Sequence, residues 1–219
     1  MLAVLLASLL PGLFWLWYFK RYDTGDQEPP ARLIWCLLLG ALAVLPALVW
    51  EAPFREQLQS VQAVPRQLAL SFLVVGLGEE LFKLLALLVA LARAGEFSEP
   101  MDGIIYAIAG GIGFAVVENV LYIAAFGLAA APLRGTVAAL AHISFSGLAG
   151  YYLGLARFSP KPWTTIGKGL AAAAAAHGFY DFLLITQTAS PFLVVPLLAG
   201  LQYLLFAAMG RAARLRPRS

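Results

Sequence analysis

Residues 68–91 read LALSFLVVGLGEELFKLLALLVAL, a stretch long enough to cross a bilayer as a helix, which takes about 20 apolar residues. Its centre nevertheless holds Glu79, Glu80 and Lys83. A charged side chain at mid-bilayer costs at least ~2.5 kcal/mol, so three together indicate internal pairing, water or a function that requires them. Lys83 follows the glutamates by four and three residues, the favourable order for helical ion pairs. Lys83 is therefore expected to neutralise one glutamate, while the other faces a neighbouring helix.

The rest of the chain is similarly apolar. Of its 219 residues, 61% are apolar and 12% are charged, and the mean hydropathy is +0.81, whereas soluble domains are about 45–50% apolar and about 25% charged. The sequence predicts an all-α, polytopic membrane helix bundle of about seven transmembrane helices, forming a single domain over residues 1–219. The predicted helices are 2–19, 33–50, 68–91, 103–126, 136–156, 164–186 and 192–209.

The charge pattern predicts the orientation of these helices. Eleven Lys and Arg residues fall on one side of the predicted membrane and three on the other, which places the N-terminus outside and the C-terminus in the cytoplasm. The net charge of +3 is small and forms no basic face, so nucleic-acid binding is not expected. Cys36 is the only cysteine, so the chain can form no internal disulfide and no cysteine metal cluster.

Three later apolar segments also carry polar residues. Counting 1.5 Å per residue from the predicted helix ends places Glu79, Glu118, His142 and His177 in the outer half of the bilayer, within reach of one another. The later polar residues are Glu118 and Asn119 on the fourth helix, His142 on the fifth, and His177 and Asp181 on the sixth.

Buried carboxylates and imidazoles can activate water against a peptide carbonyl, and two mechanisms are open. In the first, His142, His177 and Glu118 bind zinc, Glu79 or Glu80 is the general base, and Asp181 orients His177. In the second there is no metal, the glutamate activates water, and the histidines and Asn119 stabilise the oxyanion. The sequence has no HExxH helix, GxSxG elbow or P-loop, so those hydrolase and nucleotide chemistries are not indicated.

Four motifs, in order, each lie on a separate apolar segment: Glu79-Glu80-x-x-Lys83, Phe114-x-x-x-Glu118-Asn119, His142 and His177-x-x-x-Asp181. This arrangement resembles the PrsW-type intramembrane proteases, which share a superfamily with the type II CAAX prenyl endopeptidases. The first loop, from Trp17-Tyr18 through Asp23 to Glu28-Pro29-Pro30, also looks like the opening segment of that family. The CAAX branch typically has Arg one place after Lys83 and His at the position of Glu118, so prenyl-peptide processing is not expected.

The resemblance implies a peptidase of the bacterial cell membrane. By that resemblance Glu79 and Glu80 are the catalytic glutamates, and Glu118, His142 and His177 are the further site residues. The implied partners are the lipid bilayer and a membrane-anchored protein substrate, such as an anti-sigma factor cut near the outer face. The resemblance leaves open whether zinc takes part, and the oligomeric state does not follow from the sequence.

Two other functions fit the same residues. A proton-coupled transporter or channel would use Glu79, Glu80, Lys83, Glu118 and His177 as a proton relay. The sequence shows no inverted halves and few discontinuous helices, which disfavours a transporter. A non-catalytic membrane scaffold would retain the fold alone.

Overall fold

A computed structural model describes residues 2–23, 25, 27–58, 60, 63–92, 98–185 and 191–215. These residues form helices and connecting turns without any strand, which confirms the predicted all-α membrane bundle. The α-helices are α1 (Leu2–Lys20), α2 (Pro30–Leu42), α3 (Val44–Glu51), α4 (Arg55–Leu58), α5 (Val64–Ala69), α6 (Leu77–Leu91), α7 (Pro100–Phe126), α8 (Ala131–Leu133), α9 (Ala139–Ala156), α10 (Pro162–Ile185) and α11 (Pro191–Arg214).

Short helices join end to end, so the described residues form seven helical rods, as predicted. Five rods are long and apolar enough to cross a membrane: Leu2–Lys20, Pro30–Leu58, Pro100–Phe126, Leu128–Ala156 and Leu193–Arg214. The remaining two, residues 64–91 and α10, carry Glu79, Glu80, Lys83, His177 and Asp181. Thr186, the predicted end of the sixth helix, and Arg93, Arg216 and Arg218, used for the orientation, lie outside the described residues.

Prolines explain several helix ends. Proline stands at the first position of α2, α7 and α10, where its missing N–H costs nothing. Pro46, inside α3, has no backbone N–H to donate to the carbonyl of Leu42, the residue at which α2 ends. The second rod is therefore discontinuous, a feature that the sequence pattern did not indicate.

The centre of the bundle is α7, whose residues 100–115 are all buried. Close helix packing there depends on glycine, as expected where lipid provides no hydrophobic drive between helices. A Cβ on Gly113 would overlap the carbonyl oxygen of Leu37 in α2, and a Cβ on Gly103 would lie 2.5 Å from the carbonyl oxygen of Gly150 in α9. Helix α7 is thus packed closely against both α2 and α9.

Two π-helical segments precede the polar residues of the site. Leu70–Gly76 leads directly into the helix of Glu79 and Glu80, and Arg134–Ala138 leads into the helix of His142. The Trp50 indole N–H donates a 3.0 Å hydrogen bond to the Val74 carbonyl in the first segment. Such segments are frequent at functional sites.

Candidate active site

Side chains from α6, α9 and α10 meet in one buried cluster. It contains Glu79, Glu80, Lys83, His142 and His177, and each of these residues is between 1% and 6% exposed. The centroids of the two imidazole rings lie 5.3 Å apart. The predicted gathering of acidic side chains and histidines is present in the structure.

Lys83 lies at the centre of this cluster. Its Nζ donates to Glu79 Oε2 at 3.3 Å and to Glu80 Oε1 at 2.8 Å, and it lies 4.1 Å from the centroid of the Phe114 ring. The sequence predicted that Lys83 would neutralise one glutamate; the ammonium instead lies between both. The flexible lysine side chain can reach carboxylates three and four residues earlier at once.

The His142 ring is held from both sides. Its Nδ1 lies 2.8 Å from Lys83 Nζ, and its Nε2 lies 2.7 Å from Glu118 Oε2. An ammonium only donates hydrogen bonds and a carboxylate only accepts them. His142 is therefore neutral, with Nδ1 accepting from Lys83 and the Nε2 proton donated to Glu118.

His177 lies among three carboxylates. Its Nδ1 is 2.9 Å from Glu80 Oε1, and its Nε2 is 3.2 Å from Asp181 Oδ2 and 3.7 Å from Glu79 Oε2. The ring of Phe145 stacks on the imidazole at a centroid distance of 4.6 Å. Carboxylates therefore face both ring nitrogens of His177.

One set of side chains in the described residues could hold a metal ion: Glu79, His142 and His177. One donor atom of each lies within 4.8 Å of the others. Two histidines and a glutamate with an open fourth position are a ligand set of catalytic zinc sites, so these residues fit the metal. Glu118, which the sequence placed among the ligands, lies on the Nε2 side of His142, opposite Lys83.

Arg134 was not predicted to belong to the site; in the sequence it is only one of the three basic residues on the predicted outer side. Arg134 Nη2 lies 3.0 Å from Glu118 Oε2, its Nε donates to Asn119 Oδ1 at 2.9 Å, and the Asn119 amide donates to the Arg134 carbonyl at 3.3 Å. The amide of Asn119 is thus bonded to Arg134. Arg134 stands two turns before His142, a spacing that places both residues on one helical face and could have revealed the link.

Glu51 at the end of α3 was also missed. It interacts electrostatically with Glu79, Glu118, Asp181 and His177. Its Oε1 is buried and has no hydrogen-bond partner in the described part of the chain. Its place in the sequence does not indicate a role in the site, because Glu51 immediately follows an apolar segment and resembles an ordinary charged residue at the end of a helix.

Comparison with known proteins gives one consistent result. A family model described as PrsW family intramembrane metalloprotease matches residues 28–209. The chain is 32% identical to Protease PrsW of Shouchella clausii (strain KSM-K16), covering 89% of this chain and 92% of that protein. It is 31% identical to Protease PrsW of Bacillus subtilis (strain 168), covering 84% of each. No solved structure matches the chain significantly.

Proposed function

The chain belongs to the PrsW family of intramembrane metalloproteases, and from that membership we propose that it hydrolyses a peptide bond of a membrane-anchored protein, such as an anti-sigma factor, near the outer half of the bilayer. Membership identifies a peptidase, so the transporter and the scaffold are set aside. We assign the whole activity to one helical domain, residues 1–219.

The observation that carries this proposal is the meeting of Glu79, Glu80, His142 and His177 in one buried cluster. Glu79 and the two histidines would hold zinc. When bound, zinc lowers the pKa of its water and polarises the substrate carbonyl. Glu118 lies on Nε2 of His142, the ring nitrogen away from Lys83, and a carboxylate on the far nitrogen is the arrangement that orients histidine ligands in zinc sites. Asp181 lies on Nε2 of His177, the nitrogen that also faces Glu79.

Glu80 is the general base in this proposal. Its carboxylate lies beside the donor group, 2.9 Å from His177 and 2.8 Å from Lys83. The contact with His177 fixes its position, so it can take a proton from water and pass it to the leaving amine. In the metal-free alternative a glutamate alone activates water, and the histidines and Asn119 stabilise the oxyanion.

Water and substrate would enter on the side of Glu118, Asp181 and Arg134. Their side chains are 32%, 17% and 16% exposed, in contrast to the buried cluster. The positive charges of the chain concentrate at the opposite ends of the helices, which supports an outward-facing entrance. This gives the proposed location of cleavage and the proposed orientation, with the N-terminus outside and the C-terminus in the cytoplasm.

Purified full-length protein in nanodiscs, incubated with a single-span membrane-anchored reporter, tests this function. Glu80→Gln is expected to abolish cleavage while zinc content is kept, and Glu79→Gln is expected to lose both. Glu56→Gln is the matched control, because Glu56 is exposed on α4. Mass spectrometry of the products locates the cut relative to the bilayer.

Three results would each overturn part of the proposal. Retained cleavage by both Glu79→Gln and Glu80→Gln would refute the assignment of the site. Cleavage by metal-free wild-type protein would establish the metal-free alternative. A cut on the cytoplasmic side of the reporter would refute the outward-facing entrance.

A further inference from the structure

The Lys83 ammonium is bonded to one of the two nitrogens through which His142 could bind zinc. His142 Nδ1 has one in-plane lone pair, and it accepts from Lys83 Nζ at 2.8 Å. The other nitrogen of this ring is bonded to Glu118 at 2.7 Å, away from the ammonium. His142 can therefore bind metal through Nδ1 only after the bond to Lys83 breaks.

Charge leads to the same conclusion. Lys83 neutralises Glu79 and Glu80 inside a buried cluster, where unpaired carboxylates would be costly. Two cations a few ångströms apart in such a site repel each other strongly. The acidic cluster can thus hold the ammonium or a divalent ion, and the two exclude each other.

The structure provides another place for the ammonium. A small cavity next to it is lined by Glu80, Lys83, Ser146, Gly110 and Gly111, among others. The Ser146 hydroxyl is buried and has no hydrogen-bond partner among the described residues, so it is a free acceptor. A Cβ on Gly111 would lie 2.5 Å from this hydroxyl, so the glycine keeps the cavity open.

We propose that Lys83 is a built-in counterion that competes with the metal for the site, and that its ammonium moves to the Ser146 cavity when metal binds. Lys83 then holds the ligands in place without metal and sets the affinity for it. This inference rests on the zinc site of the proposed function. Lys83 is a positioning residue here, acting through His142 and the two glutamates.

Zinc affinity of full-length protein in nanodiscs, measured by competition with a chromogenic chelator, tests the proposal. Lys83→Met keeps the length of the side chain and removes the charge that competes with the metal, and it is expected to tighten zinc binding by at least about tenfold. Ser146→Ala is expected to weaken zinc binding several-fold. Ser144→Ala, on the same helix, is the control with unchanged affinity, because the Ser144 hydroxyl is bonded to Leu140 and Gln202 instead.

Thermal unfolding with and without zinc keeps the test decisive if Lys83→Met is unstable. Zinc should raise the Tm of Lys83→Met more than that of wild type, and an equal or smaller rise overturns the proposal. Unchanged or weaker zinc binding by Lys83→Met also overturns it. If wild type cleaves the reporter but neither protein binds zinc, the inference fails and proteolysis stands. If Lys83→Met binds zinc more tightly but wild type cleaves nothing, the proposed function fails and the inference stands.

Discussion

Replacing Arg134 by Gln tests whether the site depends on a residue outside the buried cluster. Arg134 pairs with Glu118 at 3.0 Å and bonds Asn119 at 2.9 Å, and Glu118 in turn holds His142 at 2.7 Å. A hydrogen bond to an uncharged side chain such as Asn119 contributes about 0.5–1.5 kcal/mol, and a partly exposed ion pair such as that to Glu118 contributes about 0.2–1 kcal/mol. The ion pair is the weaker of the two contacts because Glu118 is 32% exposed, and together they contribute about 1–2 kcal/mol. The loss of kcat/KM should be about 5–30-fold.

The assay is cleavage of the membrane-anchored reporter, with kcat and KM determined separately. Arg134 acts through Glu118 on the orientation of His142, so the loss should appear mainly in kcat. Arg134→Lys keeps the charge without the forked geometry and should fall between wild type and Arg134→Gln. Arg157→Gln is the matched control, because Arg157 is exposed at the far end of the same rod.

A double-mutant cycle tests whether Arg134 acts through Glu118. In a Glu118→Gln background, Arg134→Gln should cost much less than in wild type, giving a coupling energy of at least about 1 kcal/mol. Full activity of Arg134→Gln, or strictly additive losses in the double mutant, would refute the reasoning.

Three further predictions concern stability and the framework of the site. Burial, with two carboxylates nearby, raises the pKa of Glu28 to about 8, so the folded protein keeps a proton that the unfolded chain releases. The Tm should therefore fall as the pH rises from about 4.5 to about 8. Glu28→Gln should flatten this decline, and an unchanged slope would contradict the prediction. Gly113→Ala should lower the unfolding free energy by about 1–3 kcal/mol, measured by denaturation, because its Cβ meets the Leu37 carbonyl; unchanged stability would show that α2 and α7 are not in close contact. Trp50→Phe removes the indole N–H that donates to the Val74 carbonyl at 3.0 Å. It should lower the unfolding free energy by about 1–3 kcal/mol and also reduce cleavage. Wild-type values for both would show that the indole does not stabilise the π-helical segment.

The residues of the site could be predicted from the sequence more fully than the contacts between them. Glu79, Glu80, His142 and His177 were predicted from the sequence to lie together, because charged and imidazole groups stand out within apolar helices. The partners of each atom could not be deduced. Lys83 contacts both glutamates and His142, and Arg134 pairs with Glu118. These contacts do not follow from the sequence, because the rotation and tilt of the helices set the distances.

The sequence by itself determined that the chain is a membrane helix bundle with seven rods, since the lengths of apolar segments and the breaks between them are local properties. It also determined that Lys83 can reach Glu79 and Glu80, since i,i+3 and i,i+4 spacing fixes that on any helix. Only the tertiary structure brings one donor atom each of Glu79, His142 and His177 within 4.8 Å of one another. The physical reason is that lipid is as apolar as the protein interior, so periodicity in the sequence does not reveal which face of each helix points inward.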